Sequence, residues 1–451
     1  MKALLHAACL IAILGSSGIA IAEDQSSGPA SIDGRWDAVL SRDGVDIPFR
    51  LDIKGAGPTL KGIFYDGFKP YDGTTSATFQ DRKLELNIEH YLSTISATLE
   101  HGELTGTLAT KGRGPSGQYS FEATRHVDAS AGHAPAPSIA GSWVIPLETP
   151  SSKGEKAFRF VVQQRGPEVA AAILRIDGDT GSYSGSYQDG KWVLSHFDGG
   201  RPGVIVVTPK PDGTLEIQQH VEARGAANAA PDGGRAAVLT AYRANVAEAR
   251  GLPTPDNFLT HTTARDPNEI FKFAFPDMEG KLVTNDDPRF KGKVVLVVVS
   301  GTWCPNCHDE AQYLVQLDKK YRGKGLAIVD LDFEEPDQQG SLERERAFNK
   351  QYGVKYTSLL AGAPSEMHEK VPQLNNLDTW PATIFIGRDG KVKAVHAGFA
   401  SPASGKFYTE LKQEFTNRIE QLLAEKVPSD AAAATTTHHA ELTLQHAGKK
   451  S

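Results

Sequence analysis

The chain has 451 residues, 39% of them hydrophobic, and a formal net charge of −7 from 48 basic and 55 acidic side chains. This is the composition of a globular chain long enough for about two to four domains. The acidic balance and the scattered Lys and Arg residues argue against a nucleic-acid or anionic-membrane surface. Small molecules and proteins are therefore the expected partners.

The N-terminus has the pattern of a secretory signal peptide. Lys2 is followed by a short apolar region and by an Ala-x-Ala cleavage site that ends at Ala22. The apolar region is too short to span a bilayer. Cleavage after Ala22 is predicted to leave a periplasmic or secreted protein with no stable membrane insertion. Because Cys9 is removed with the signal, Cys304 and Cys307 remain as the two cysteines of the mature chain.

Short alternating apolar runs fill the region from Asp33 to about Tyr242, and Gly, Asp, Pro and Ser separate them. This pattern predicts antiparallel β-strands. Four short motifs occur twice at an offset of 107 to 111 residues, which indicates a tandem duplication. The sequence therefore predicts two all-β modules, at residues 33–126 and 139–244, each a small barrel or a sandwich. The paired motifs are Gly34–Trp36 with Gly141–Trp143, Pro48–Ile53 with Ala157–Val162, Gln80–Leu84 with Gln188–Trp192, and Gly102–Leu104 with Gly213–Leu215.

The Gly-x-Trp that opens each module resembles the start of lipocalin-like barrels. Trp36 and Trp143 either fill the cores of two spacer modules or belong to modules that enclose a ligand or bind a partner. Neither module shows a catalytic constellation. Residues 245–267 are interpreted as an interdomain linker and residues 427–451 as a disordered tail.

A continuous apolar run, Val294–Val299, precedes a Cys-x-x-Cys pair at Cys304 and Cys307. A run that is apolar at every position predicts a strand buried on both faces of a sheet. Cys304 is therefore expected at a strand-to-helix turn. The apolar residues that follow with helical spacing are Leu314, Leu317 and Tyr321.

That position favours a thiolate at Cys304, because unpaired N–H groups and the positive end of the helix dipole face it. Cys304 is the predicted nucleophile. Cys307 is close enough to attack a mixed disulfide on Cys304, and its partly buried site is expected to keep it protonated until then. A zinc site would need a second ligand pair, which the sequence lacks, and a structural short-loop disulfide is the remaining alternative. The sequence predicts neither a metal site nor a cofactor.

Downstream of the pair, strands and helices alternate and end in a β-hairpin and a helix, which predicts an α/β thioredoxin-like domain at residues 268–426. The fold is thus predicted as duplicated all-β antiparallel modules followed by this domain. Asp332, Glu334 and Glu335, at the end of strand Leu326–Phe333, either face the thiols or form a polar loop, and the loop is the preferred interpretation. Glu343–Arg346 are interpreted as a solvated helical face. The predicted elements are a hairpin at 271–283, strands Leu326–Phe333, Thr357–Ala361, Ala382–Ile386 and Val392–Ala397, and helices at 342–352, from Ser365, and at Phe407–Lys426.

Residues from about 266 to 426 resemble the TlpA/ResA-like thiol-disulfide oxidoreductases, which are related to thioredoxin. The resemblance implies that Cys304 is the attacking thiol, that Cys307 is the resolving thiol, and that Pro381 is a cis-proline beside them. A trans proline at the start of an edge strand is the alternative for Pro381. The three motifs that carry the resemblance are Phe273–Leu282 followed by Phe290–Leu296, Gly301–Glu310, and Thr379–Lys391.

The proton acceptor of the pair is also implied by this resemblance. Thioredoxin has a buried Asp six residues before its first Cys, where this chain has Val298, whereas the ResA-like branch uses a Glu at the position of Glu310. Glu310 is therefore expected to take the proton of Cys307; a solvated acid at the helix start is the alternative. His308 is expected to act on Cys304 electrostatically rather than to bind a metal. The other predicted surroundings of the pair are Trp303, Pro305, Asn306 and Trp380.

These observations predict an exported thiol-disulfide oxidoreductase of redox homeostasis that reduces disulfides in proteins. Its partners are disulfide-containing or thiol-containing proteins, and the family resemblance implies a membrane electron donor. An oxidase or isomerase that uses the same residues is the first alternative. The second is a binding protein whose β modules grip a partner while the thioredoxin-like part docks passively.

Overall fold

The computed structural model describes residues 31–110, 117–127, 136–200, 202–220, 237–335 and 342–427. The predicted signal peptide and the predicted tail beyond residue 427 lie outside these residues. Within the described part of the chain, no helix is both long enough and apolar enough to cross a membrane.

Nine antiparallel strands form the first module. They are β1 (Gly34–Arg42), β2 (Val45–Lys54), β3 (Lys61–Asp66), β4 (Lys69–Gly73), β5 (Ser76–Gln80), β6 (Lys83–Ile88), β7 (Ser93–Glu100), β8 (Glu103–Thr110) and β9 (Gly117–Arg125). Their order in this open half-barrel sheet is β4-β3-β2-β1-β9-β8-β7-β6-β5. Because side chains alternate between the faces of a strand, Trp36, Ala38 and Leu40 of β1 all lie in the core.

Eight antiparallel strands form the second module, a closed barrel. They are β10 (Gly141–Pro146), β11 (Ala157–Arg165), β12 (Glu168–Leu174), β13 (Tyr183–Gln188), β14 (Lys191–His196), β15 (Gly203–Pro209), β16 (Leu215–His220) and β17 (Ala237–Arg243). Each strand pairs with the next, and β10 closes the barrel by pairing with β17. Trp143, Phe160 and Trp192 are among the large side chains of its core.

The duplication is visible in the structure as a repeated Trp–Arg pair. The Arg125 guanidinium lies 4.1 Å from the centre of the Trp36 ring, and that of Arg243 lies 3.9 Å from the centre of the Trp143 ring. In both modules the two residues are cross-strand partners. Since Trp36 is fully buried and Trp143 is 3% exposed, both tryptophans are core residues.

The C-terminal part contains the predicted thioredoxin-like sheet. Its strands are β18 (Thr263–Ala264), β19 (Ala274–Pro276), β20 (Leu282–Thr284), β21 (Val294–Ser300), β22 (Leu326–Phe333), β23 (Thr357–Gly362), β24 (Leu374–Asn375), β25 (Ala382–Ile386) and β26 (Val392–Ala397). The α-helices of the described residues are α1 (Ala244–Ala249), α2 (Pro305–Tyr321), α3 (Glu343–Tyr352), α4 (Met367–Lys370) and α5 (Lys406–Ala424). The sheet order is β23-β22-β21-β25-β26, with β21 parallel to β22 and antiparallel to β25.

The central strand β21 is apolar throughout because both of its faces are covered. Leu296 and Val298 pack in the layer formed with α2 and α5. Val295 and Val297 pack on the other side, against aromatic residues of the segment that precedes β21 and against α4. This double burial confirms the prediction made from the uninterrupted run.

Candidate redox-active site

Strand β21 and helix α2 meet at Cys304. The chain leaves the strand at Ser300, turns through Gly301–Trp303 and begins the helix at Pro305, so that Cys304 is the N-cap residue. Proline suits the first helical position, since its φ is preset and it has no N–H to satisfy. The Sγ of Cys304 accepts a hydrogen bond from the backbone N–H of Cys307 at 3.3 Å. The predicted strand-to-helix location is confirmed.

The two sulfur atoms are in different environments. Both residues are free thiols with 2% of their surface exposed. Burial raises the pKa of Cys307 well above its usual range, and the neighbouring Cys304 raises it further. Cys307 is therefore held as a thiol near neutral pH. The sulfur of Cys304, in contrast, accepts a hydrogen bond from a backbone N–H of the first helical turn, which stabilises negative charge on that sulfur.

Glu310 lies beneath this pair in a closed environment. Its side chain is fully buried, and its Oε1 accepts a hydrogen bond from the Thr383 hydroxyl group. Its Oε2 has no hydrogen-bond partner among the described residues. Burial raises the pKa of Glu310 to about 8, and its charge in turn acts on Cys307. The alternative of a solvated acid at the helix start is wrong.

Trp380 lies beside Cys304. The peptide bond between Trp380 and Pro381 is cis, as the resemblance implies. The carbonyl oxygen of Trp380 accepts a hydrogen bond from the Sγ of Cys304 at 3.4 Å, and its N–H donates to the Oδ1 of Asp177 at 3.1 Å. The rings of Trp303 and Trp380 meet edge to face, with their centres 5.1 Å apart.

His308 is buried behind the turn that leads to Cys304. Its Nε2 lies 2.7 Å from the carbonyl oxygen of Thr302, and its Nδ1 lies 2.8 Å from the hydroxyl oxygen of Tyr352. A carbonyl accepts only, so the first contact places the proton on Nε2 and leaves Nδ1 to accept from Tyr352. The ring also packs against Tyr91 of the first module, 4.5 Å between centres. These contacts tie the turn to α3 and to the first module.

The acidic residues at the end of β22 are not a polar surface loop. Asp332 is 1% exposed and Glu334 is 7% exposed. The Oε1 of Glu334 accepts hydrogen bonds from the backbone N–H and the hydroxyl group of Thr302, both at 2.6 Å. The interpretation of these two residues as a solvated loop is therefore wrong, and Glu334 instead holds the turn before the cysteines.

The charged start of α3 is buried on one side: Glu343 and Arg346 are exposed, as predicted for a solvated face, whereas Arg344 and Glu345 are not. Arg344 is 4% exposed and Glu345 is 2% exposed. Arg344 donates hydrogen bonds to the carbonyl oxygens of His90 and Thr302, both at 3.0 Å. The prediction is wrong for these two residues because the first module covers this side of the helix, a contact that the charge pattern of the helix alone does not reveal.

Both β modules contact the active-site helix. Tyr71 of the first module donates its hydroxyl hydrogen bond to Asp309 and accepts one from the side chain of Gln312 at 2.7 Å. From the second module, the backbone N–H of Thr180 donates to the Oδ1 of Asn306 at 2.7 Å. Sequence analysis considered the β modules as possible partner-binding surfaces. Part of the surface of each module contacts the chain's own thioredoxin-like domain instead.

A cavity of about 240 Å³ separates the second module from the cysteine pair. Trp303, Cys304 and Trp380 line it from one side. The side that belongs to the barrel includes Arg175 and Tyr183. Cys304 therefore lines a cavity that the barrel covers. Sequence reasoning missed this arrangement.

Sequence reasoning also missed Thr383, although a signal for it was present. Thr383 is the second residue after Pro381 in the third family motif, and the register of the sheet places it opposite Val298. The missing acid at Val298 could have prompted a search for polar residues on the neighbouring strand.

Comparison with known proteins shows what the C-terminal part of the chain is similar to. A family model described as Redoxin matches residues 266–410. The thiol-disulfide oxidoreductase ResA of Bacillus thuringiensis (strain Al Hakam) is 32% identical over 124 residues, which cover 28% of this chain and 65% of that protein. The ResA protein of Bacillus thuringiensis subsp. konkukian is 34% identical over 126 residues, with the same shares of both chains. The chain thus spans just under two thirds of the length of these relatives.

Among solved structures, a thiol:disulfide interchange protein of the thioredoxin family from Chlorobium tepidum TLS is similar to this chain. The similarity covers 36% of this chain and 100% of that one, at 22% sequence identity and a TM-score of 0.29. Residues 266–410 of the present chain are a Redoxin domain with the thioredoxin-like fold, related to the ResA thiol-disulfide oxidoreductases.

Proposed function

We propose that this protein is an exported thiol-disulfide oxidoreductase that reduces disulfides with Cys304 and Cys307. One observation carries the proposal: a thiol at a helix N-cap, bonded to a helix N–H, lies one turn from a desolvated thiol whose pKa is raised. Dithiol exchange needs one thiol that is readily deprotonated, to act as the nucleophile, and a second thiol that stays protonated until it resolves the mixed disulfide. The names of the matched relatives support the same chemistry.

In the proposed reaction the Cys304 thiolate attacks one sulfur of a substrate disulfide. A bond forms between Cys304 and that sulfur, the substrate bond breaks, and the other sulfur leaves as a thiolate that takes up a proton. Cys307 then loses its proton and attacks the Cys304 sulfur, which releases the second substrate thiol. Two electrons have passed to the substrate, and Cys304 and Cys307 end as a disulfide.

Glu310 is proposed to handle the proton of the second step. Burial gives the carboxyl a pKa of about 8, so it takes up and releases a proton near neutral pH. The Thr383 hydroxyl group holds one oxygen and leaves the other without a partner among the described residues. Pro381 and Trp380 are proposed to align the substrate, since the Trp380 carbonyl group lies beside the Cys304 sulfur.

Export and re-reduction complete the proposal. Cleavage after Ala22 would release the mature chain to the periplasm or the exterior. The disulfide form would then regain its electrons from a membrane donor of dithiol type, and thiol-containing proteins would be its partners. In an oxidising compartment a lone vicinal pair needs such a supply to act as a reductant.

A stoichiometric assay tests this proposal. The protein is reduced, freed of reductant and mixed with cystine, and the thiols released are counted. One disulfide reduced per chain, with loss of the reaction in Cys304→Ser, is the expected result. A folded, fully reduced protein that releases no thiol would overturn the proposal.

A further inference from the structure

The loop between β12 and β13 of the second barrel lies directly over the redox site. We call residues 175–180 the covering loop. Its turn is closed by two backbone hydrogen bonds between Arg175 and Gly178, at 3.0 and 3.1 Å. Leu174, immediately before the loop, is fully buried in the core layer of the thioredoxin-like domain. The loop is therefore anchored at its base and held in shape by its own backbone.

The covering loop occupies main-chain N–H groups of the thioredoxin-like domain near the cysteine pair. Asp177 accepts a hydrogen bond from the Trp380 N–H through Oδ1 and one from the Phe399 N–H through its carbonyl oxygen, at 3.1 and 2.9 Å. The neighbouring Asp179 accepts from the Ser401 N–H at 3.0 Å. Recognition by strand addition uses main-chain groups of this kind. These groups are occupied here by the protein's own barrel.

Gly178 fits between the two domains because it has no side chain. Its φ is +127°, and a Cβ at this position would lie 2.2 Å from the Phe399 carbonyl oxygen and 2.8 Å from the side chain of Asn306. A single methyl group would therefore force the loop away from the thioredoxin-like domain. Lys153 of the barrel also links the covering loop to the thioredoxin-like domain. Its Nζ donates hydrogen bonds to Asp177 and, at 2.5 Å, to the carbonyl oxygen of Asp378.

What remains open at Cys304 is the cavity of about 240 Å³. Pockets for drug-sized ligands begin near about 300 Å³. The space is therefore comparable to half of a small disulfide, such as one amino acid, and too small for the surface of a folded protein. Cys304 itself is 2% exposed.

The charge of the cavity indicates which small disulfides suit it. Asp177 is paired with Lys153, and Asp378 is paired with His261 at 2.7 Å. The third acid of the lining, Asp179, is buried and accepts hydrogen bonds from the Ser401 N–H and the Ser404 hydroxyl group. Arg175 also lines the cavity; its guanidinium carbon lies 5.1 Å from the centre of the Phe158 ring, and its buried Nε has no hydrogen-bond partner among the described residues. A guanidinium group in this setting favours a carboxylate.

We propose that the covering loop makes the closed site selective for low-molecular-weight disulfides that carry a carboxylate, of the cystine type. In this state Cys304 exchanges with such a disulfide through the cavity, and a disulfide on a folded protein reaches Cys304 only after the loop has moved away. The proposal rests on the proposed function and deepens it. The reaction is the balanced exchange given above, with two small thiols as products.

The first test measures access by size with the covering loop unchanged, in a Cys307→Ser variant. Cys307→Ser leaves Cys304 as the single thiol of the site. The rate of its alkylation by iodoacetamide is compared with the rate of its alkylation by a polymer-linked maleimide, and each rate is divided by the rate of the same reagent with free cysteine. Mass spectrometry of the modified peptide measures both reactions. The polymer reagent is expected to be slowed at least about tenfold more, since only the open fraction reacts. Equal normalised rates would overturn the proposal.

The second test moves the loop. Gly178→Ala is expected to raise the ratio of the rate constants for insulin and for cystine by at least about tenfold, as the open fraction grows. Gly213→Ala is the matched control, because Gly213 also has a positive φ but a Cβ there would meet nothing within 4 Å. An unchanged ratio of rate constants in folded Gly178→Ala would overturn the proposal. If this variant does not fold, the alkylation test above still decides the question, because it leaves the loop unchanged.

The third test concerns Arg175. Cystine is compared with cystamine, a small disulfide that has no carboxylate, and the preference for cystine is expected to fall about tenfold in Arg175→Gln, the loss of one charge-assisted contact. Arg165→Gln, at the other end of the β11–β12 hairpin, is the control and should keep the preference. A preference that Arg175→Gln leaves intact would overturn the carboxylate assignment. Failure of every disulfide to react would instead overturn the proposed function.

Discussion

The hydroxyl group of Thr383 donates a hydrogen bond to the buried carboxyl group of Glu310. Thr383 stands opposite Val298, the position at which thioredoxin has its buried acid. The acid of this site therefore comes from helix α2, one turn after Cys307, and strand β25 supplies the group that orients it. This arrangement has consequences for each step of the proposed reaction.

Replacing Cys307, the proposed resolving thiol, should stop the reaction at its mixed-disulfide intermediate. In Cys307→Ser, Cys304 still attacks cystine but nothing releases the product, so a mixed disulfide should accumulate to about one per chain. Mass spectrometry under non-reducing conditions measures it. Cys304→Ser should form none, and equal adducts in the two variants would contradict the assignment of the nucleophile.

Replacing Glu310 should slow the second step and change its pH profile. With a pKa of about 8, Glu310 is mostly protonated at pH 7, so its basic form and the resolution rate should rise as the pH passes through about 8. Glu310→Gln should lower that rate by about 100-fold or more and remove this inflection. Stopped-flow decay of the mixed disulfide provides the readout. Glu410→Gln, at an exposed position of α5, serves as the control, and a normal profile in Glu310→Gln would exclude the proton-transfer role.

The buried acids near the site should make stability depend on pH. Burial raises the pKa of Asp332 well above its usual range, with Glu345 adding to it, and burial raises that of Glu345 to about 7. Acids with raised folded-state pKa values bind more protons when folded, so stability should be highest in acid and fall as the pH rises through about 7.

Asp332→Asn should weaken this dependence, because the amide does not ionise. The variant should therefore gain stability relative to wild type between pH 5 and pH 8, because its side chain has no proton to lose over that interval. Urea unfolding at the two pH values measures the difference, with exposed Glu343→Gln as a control. A wild-type protein that becomes more stable over this interval would argue against the buried, protonated cluster.

The repeated Trp–Arg pair should stabilise both modules. Arg243→Ala removes a guanidinium group that covers Trp143 and donates to the Ala140 carbonyl oxygen at 2.5 Å. A loss of about 1–3 kcal/mol in the free energy of unfolding is expected from the lost cation–π contact and hydrogen bond. Arg125→Ala, which removes the contact with Trp36, should cost a similar amount. A loss below about 0.5 kcal/mol in both variants would show that the pair is incidental.

Local periodicity was sufficient to predict the redox core. The apolar run before Cys304 and the helical spacing after Cys307 depend on neighbours in sequence, and strands Ala382–Ile386 and Val392–Ala397 have the bounds that their patterns predict. The cis bond at Pro381 and the position of Glu310 followed from family motifs, each of which is also contiguous in the chain.

Features that depend on long-range packing were not predictable in this way. The partnership of Glu310 with Thr383 requires the register between β21 and β25, which no local pattern specifies. Arg344 looks solvated on its own helix and is buried because the first module covers it. The sequence of the covering loop indicates an ordinary Asp-Gly turn. The requirement for glycine at position 178 is evident only in the structure, where a side chain would collide with the Phe399 carbonyl oxygen.

The most direct test of the proposed function is a redox titration of the Cys304/Cys307 pair in defined dithiol buffers, read by alkylation and mass spectrometry. A reversible two-electron transition near the thioredoxin value of about −270 mV is predicted for a reductant. A transition near about −120 mV would instead mark a disulfide donor and contradict the reducing direction. A pair that equilibrates with no buffer at any potential would contradict dithiol chemistry altogether.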